Sequence, residues 1–135
     1  MTKSKIEEIV KYWFKTSKHD FDTMMALFRS KRYSDCLFFG HLALEKILKA
    51  LVVKKIKKHA PYVHDLVRLS EIAKLDLTEE ELDLLDRVND FNIRSRYPEY
   101  KLDFYKKCTK RFTQKYLDEI IILHKKLCRQ LKRKK

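Results

Sequence analysis

Apolar residues Ile6, Val10, Trp13, Phe14, Phe21, Met24, Met25 and Phe28 recur at steps of three and four along the first thirty residues. That spacing is one helical stripe, and Ser17 and Asp20 fill its missing beats. The same two residues could also form a capping box that opens a new helix. Because the stripe keeps its phase across them, a single helix is expected over 3–30.

Lys31-Arg32-Tyr33 interrupts the pattern, and Ser34 can cap a second helix over 34–58. The first half of that helix, Cys36 to Leu44, is apolar nearly all round. Such a helix packs on several sides and belongs at the centre of the fold. Lys54 to Lys58 form its solvated, cationic end. Pro61 ends the element.

Leu66, Leu69, Ile72 and Ala73 then mark a short amphipathic helix, which His64 can cap. Thr78 and Glu81 form a T-x-x-E capping box that opens a fourth helix over about 78–90. Residues 91–100 break the pattern, because Pro98 drives Tyr97 out of helical geometry. A last long helix is expected over about 102–132, striped by Phe104, Cys108, Phe112, Tyr116, Ile120, Leu123, Leu127 and Leu131. The fold class is therefore all-α: an up-and-down helical bundle of four to five helices, with two long N-terminal helices, one or two short ones and one long C-terminal helix. One domain over 1–135 is expected, with the basic end 128–135 frayed.

Composition sharpens this picture. The chain has 135 residues, 44% of them apolar, and a single glycine. Sandwiches and barrels need glycine-rich turns, and P-loop or dinucleotide folds need glycine-rich phosphate loops, so those classes are disfavoured. The one glycine, Gly40, lies inside the second helix, where it costs about 1 kcal/mol relative to alanine. Close approach of a neighbouring helix or chain is the expected return. No run reaches the length of about 18 apolar residues that a membrane span needs, and the N-terminus lacks the apolar core of a signal peptide. Cys36, Cys108 and Cys128 form no CxxC pair, which suits a reducing cytoplasm.

The net charge of +13 is unevenly spread. Residues 71–90 hold eight acids and two bases, a net of −6, so the rest of the chain carries +19. Two runs free of acid dominate, Lys46–Lys58 with six lysines and Lys125–Lys135 with seven bases. Such fields favour polyanions. The C-terminal run is either a solvated helix end or a phosphate-contacting arm without base readout.

Three segments together resemble a known family. They are Tyr33-Ser-Asp-Cys-Leu-Phe-Phe-Gly-His-Leu-Ala-Leu-Glu45-Lys46-Ile-Leu-Lys49-Ala50, then His64-Asp65-Leu66, then Asn92-Ile-Arg94-Ser-Arg96-Tyr97-Pro98. Their order and spacing, over about residues 10–127, are similar to the HEPN domain family (higher eukaryotes and prokaryotes nucleotide-binding). The resemblance implies a helical bundle, usually a homodimer, often encoded beside a minimal nucleotidyltransferase in toxin–antitoxin-type systems. Many members are metal-independent ribonucleases that use an Arg-x(4–6)-His motif; others bind nucleotides or RNA without cleaving them. This sequence departs from the pattern in two places. His41 stands where the family often has Gln, and no histidine occurs between His64 and His124, so the Arg-x(4–6)-His motif is absent.

The expected phosphate-binding residues are Arg94, Arg96, Tyr97, Lys46 and Lys49. A guanidinium forks onto phosphate, and tyrosine can stack on a base or donate a proton. The alternative is structural: the arginines pair with Asp86, Asp90 or Glu45, and Glu45 and Lys49 form an i,i+4 ion pair. Arg94, Arg96, Tyr97 and His64 are the candidates if there is catalysis, for which His64 would have to fold back near Arg94. His41 reads as a core or interface histidine. With no HxxxH, HExxH or Cys/His cluster, no metal and no cofactor are expected. The sequence thus favours a cytoplasmic nucleotide- or RNA-binding module with a nucleotidyltransferase partner. A divergent metal-independent ribonuclease and a non-catalytic interaction module are the alternatives.

Overall fold

The computed structural model describes residues 1–133. Six helices follow one another: α1 (Lys3–Arg29), α2 (Tyr33–Ile56), α3 (Leu66–Ile72), α4 (Glu79–Arg96), α5 (Pro98–Lys107) and α6 (Lys110–Lys132). Among the described residues there is no strand, and no helix is long and apolar enough to cross a membrane.

The helix α1 is continuous, as its stripe requires. Ser17 and Asp20 do not start a helix; both are buried tertiary contacts. Ser17 Oγ donates to the Ala43 carbonyl at 2.7 Å, and Asp20 pairs with Lys46 at 2.6 Å. The central position of α2 also holds: α1, α3, α4 and α6 all pack on it, and almost every residue from Cys36 to Val53 is at least half-buried. Its start differs in one detail. Arg32 occupies the cap position without a side-chain bond, and Ser34 lies inside the first turn.

Gly40 is the point where α2 meets α1 and α6. A Cβ built there would stand 2.9 Å from Ile120 Cδ1 and 3.3 Å from the Met24 sulfur. The close approach inferred from the glycine is thus to helices of the same chain.

Two expectations need correction. The break over 91–100 shrinks to a single residue. The apolar face of α4 continues through Leu84, Leu85, Val88, Phe91 and Asn92, so the helix runs on to Arg96 despite its polar composition there. Only Tyr97 is extended (φ −86°, ψ 129°), as the residue before a proline must be, and Pro98 starts α5 at a position where it has no amide to lose.

The expected long helix 102–132 is two helices, parted at Cys108 (φ −79°, ψ 70°) and recapped by Thr109, whose hydroxyl accepts from the Phe112 amide. The break corrects the drift of a stripe that advances four residues at a time. Downstream of it, the buried positions are Thr113, Leu117, Ile120, Leu123, His124, Leu127 and Leu131. Phe112 and Tyr116 instead join Phe104 around Phe91, at ring distances of 5.0 to 5.9 Å from it.

The bundle therefore has six helices rather than four to five. At its basic end, residues 128–132 form the last turn of α6 with Leu131 buried, and Arg133 follows as its extended cap; residues 134–135 of the expected frayed segment lie outside the described residues. The Thr78–Glu81 capping box is present in both directions. Glu81 also meets Lys126 of α6 at 2.8 Å, so part of the acidic segment serves structure.

Candidate functional site

The site grows from the middle of α2. His41 and Glu45 lie four residues apart and so share one face of the helix. Both are buried, at 1% and 6% exposure. Glu45 accepts two hydrogen bonds on the same oxygen, from Lys49 at 2.8 Å and from His64 Nδ1 at 2.9 Å. Burial raises a carboxyl, but these hydrogen bonds and the Lys49 charge outweigh it and hold Glu45 below the ordinary carboxylate range. The Lys49 ammonium also lies 5.2 Å from the Trp13 ring centre.

A second chain of bonds leaves His41 toward α4. His41 Nε2 contacts the His64 carbonyl at 3.0 Å. A carbonyl only accepts, so Nε2 carries the proton. Burial lowers the His41 pKa, with the Glu45 charge opposing it, and the ring is neutral at pH 7. His41 Nδ1 is then an acceptor for Asn92 Nδ2 at 3.3 Å, and Asn92 Oδ1 accepts from Arg96 Nε at 3.1 Å. Arg96 is thereby bonded through Asn92 and His41 to the backbone of His64. Each bond along this path pairs a donor with an acceptor, while the unprotonated His41 Nδ1 also lies 3.5 Å from Glu45 Oε1.

At the surface end of the path sit the predicted arginines. Arg94 Nε pairs with Asp90 at 2.7 Å, the structural pairing anticipated among the alternatives. The Arg94 guanidinium lies 5.5 Å from the Tyr100 ring centre, and that of Arg96 lies 5.4 Å from Tyr97. Both tyrosines are exposed. Each guanidinium is therefore held by a bond through Nε and by a ring beneath it.

His64 does not cap α3; Asp65 does, accepting from the Val67 and Arg68 amides. The His64 side chain is 74% exposed while its Nδ1 is fixed on Glu45. That leaves Nε2 as the outward-facing nitrogen.

The structure thus brings together Arg94, Arg96 and Tyr97, and ties His64 and Lys49 to the same network through Glu45. Lys46 turns the other way, to Asp20 of α1. Sequence reasoning missed Glu45 as the orienting carboxylate of His64, and Asn92 as the link to Arg96. Glu45, His64 and Asn92 all lie in the three segments that carry the family resemblance, which was the available signal; no spacing in the chain shows that Glu45 meets His64 or that Asn92 meets Arg96 and His41.

The thiols offer no comparable chemistry. Burial pushes both Cys36 and Cys108 up to about 12, so neither is a nucleophile at neutral pH. Among the described residues, no group of three or more His, Cys, Asp or Glu is placed to hold a metal ion.

The bundle has a counterpart in the crystal structure of TT1696 from Thermus thermophilus. The two match with a TM-score of 0.69 and 18% identity, over 87% of this chain and 97% of that one. At that identity the match speaks for the fold. No curated protein matches the chain in sequence. A family profile described as HEPN domain matches residues 10–133, which include α2, the His64 segment and the whole arginine end of α4, and the chain belongs to the HEPN domain family.

Proposed function

We propose that the Arg94–Arg96–Tyr97 end of α4 binds the phosphates of a nucleotide or an RNA backbone. In this reading the protein is a cytoplasmic homodimer that works with a nucleotidyltransferase partner in a toxin–antitoxin-type system. The observation that carries the phosphate reading is how the two guanidiniums are held. Both make their internal side-chain bonds through Nε, which leaves the terminal amino groups to fork onto a phosphate. The tyrosines beneath them supply exposed rings for stacking on a base. Lys46 and Lys49 would reach a phosphate only by leaving Asp20 and Glu45.

Binding of a fluorescent single-stranded RNA, followed by anisotropy across a salt series, tests this. Affinity should fall steeply, with a slope of roughly −0.7 per phosphate contacted. The Arg94→Ala/Arg96→Ala double variant should bind at least tenfold more weakly and show a shallower slope. Binding insensitive to both salt and the double variant would overturn the reading. Solution scattering tests the dimer, and copurification with the product of an adjacent nucleotidyltransferase gene tests the partner.

A second reading, a divergent metal-independent ribonuclease, is favoured by one observation: Glu45 orients His64, and the same network reaches Arg96. His64 Nε2 would take the 2′-hydroxyl proton, the 2′-oxygen would attack the phosphorus as the bond to the 5′-oxygen breaks, water would return a proton to that leaving oxygen, and a guanidinium would stabilise the crowded phosphate. RNA cleavage in EDTA that disappears in both His64→Ala and the arginine double variant supports it. Equal cleavage by all three proteins points to a contaminant. A pure interaction module remains the reading if no nucleotide or RNA shifts the melting temperature.

A further inference from the structure

At the end of the bundle where α1 begins and α2 and α6 finish, there is a groove of about 730 Å³. Its origin lies in how α1 and α6 flank α2. They touch at Ser17 and Phe21, against His124. Toward the N-terminus of α1 the lining passes to Phe14, Val10 and Ile6, and the Lys132 ammonium lies 5.3 Å from the Phe14 ring centre. Ile6, Val10 and Phe14 line one wall and Leu131 the other. The three α1 residues are each four apart and lie along one face, making an apolar strip about 12 Å long.

The rim is cationic. Lys3, Lys11, Lys54, Lys57 and Lys132 border the groove, against a single acid, Glu7. Lys54 is occupied by the Leu131 and Arg133 carbonyls at the end of α6. Among the described residues, Lys3, Lys11 and Lys57 enter no ion pair.

An apolar trough beneath unpaired ammonium groups matches a molecule with an apolar tail and an anionic head. The size also discriminates. The volume falls within the range of about 300–1,000 Å³ typical of small-molecule sites. The few apolar side chains fall far short of the roughly 20–30 residues a side that a stable protein interface uses. We propose that this groove binds a single-chain anionic amphiphile, with the acyl tail along Ile6, Val10 and Phe14 and the head on Lys3, Lys11 or Lys57. The site lies apart from the arginine end of α4 and does not depend on the phosphate reading.

Calorimetric titration of the full chain with sodium dodecanoate below its critical micelle concentration tests the proposal, with dodecyltrimethylammonium as a same-tail cationic control. Dodecanoate should bind saturably at one per chain, at least tenfold more tightly than the cation. Val10→Phe, which fills the trough, and Lys3→Glu/Lys57→Glu, which inverts the rim, should each weaken it at least tenfold. Amide shifts on titrating the unmodified protein provide a readout that does not depend on a variant folding, and should concentrate at residues 3–14 and 131. Equal binding of cation and anion, no binding of dodecanoate, or shifts spread over other surfaces would each overturn the proposal. So would capture of an acidic helical peptide by a groove that ignores dodecanoate.

Discussion

His64 donates from Nδ1 to Glu45 Oε2 across 2.9 Å, joining a side chain that is 74% exposed to one that is 8% exposed. Lys49, also buried, shares the same carboxylate oxygen at 2.8 Å. Among the described residues, Glu45 is thus the only anion facing a buried ammonium and a surface imidazole together.

Replacing Glu45 by Gln leaves Lys49 buried without its counter-charge, and breaking such a pair costs about 3 kcal/mol. Because folding lowers the Glu45 pKa, its contribution is fully present above the ordinary carboxylate value and is lost as pH falls through the folded one. Urea denaturation of Glu45→Gln should therefore show a large deficit near neutrality that narrows in acid. A deficit constant from about pH 7 to pH 3 would count against the pairing.

His124 is expected to give the protein a second acid sensitivity. Its Nε2 meets Ser17 Oγ at 2.8 Å. That hydroxyl already donates to Ala43, so the ring donates to it from Nε2. Burial, aided by the charge of Lys18, lowers its pKa from 6.5 to about 4. As pH falls below 6.5 the unfolded chain takes the proton first, so stability is lost between pH 6.5 and about 4, by roughly 3 kcal/mol in all. The lowered His41 acts in the same direction. His124→Gln keeps a donor for Ser17 and removes the titration, so its stability should depend less on pH across that window. Parallel curves for the two proteins would refute the assignment.

Gly40 sets two effects against each other. Alanine gains about 1 kcal/mol of helix propensity, while its Cβ meets Ile120 Cδ1 and the Met24 sulfur, both at flexible side-chain positions. Gly40→Ala should therefore change stability by no more than about 1 kcal/mol. Gly40→Val adds two more atoms to the same contact and should cost more, about 1–3 kcal/mol. Thermal melts of both variants check this; a valine variant as stable as the alanine one would show that the contact is loose.

Thr78→Ala removes one arm of the capping box and should cost about 1 kcal/mol, lowering Tm by a few degrees. Glu81 retains its pair with Lys126, so the α4–α6 contact should survive, visible as unchanged chemical shifts around Lys126.

Much of the fold was legible in the sequence because it was written in periodicity and caps. The Ile6–Phe28 stripe marked α1, the unbroken apolar run Cys36–Leu44 marked the central helix, and Thr78–Glu81 marked the start of α4. The errors lie where tertiary packing overrode local signals. Phe91 and Asn92 carry α4 past a polar stretch, and the break at Cys108 has no glycine or proline to announce it. At the site, the arginines and Tyr97 were legible as residue types. The anchoring of Arg96 through Asn92 and His41, and of His64 on Glu45, was not, because these contacts join α2, α4 and the segment before α3, and sequence spacing says nothing of such contacts.

The short helix α5 is held differently from its neighbours. Phe104 is its one buried side chain, and the extended Tyr97 is all that separates it from α4. With so little apolar anchorage, α5 should open locally at a small fraction of the global unfolding free energy, and its amides should exchange with deuterium earlier than those of α2. Tyr100, whose ring lies under Arg94, travels with it. Each such opening would remove the ring from beneath the guanidinium while α4 stays folded, so the arginine end is expected to reshape without the protein unfolding.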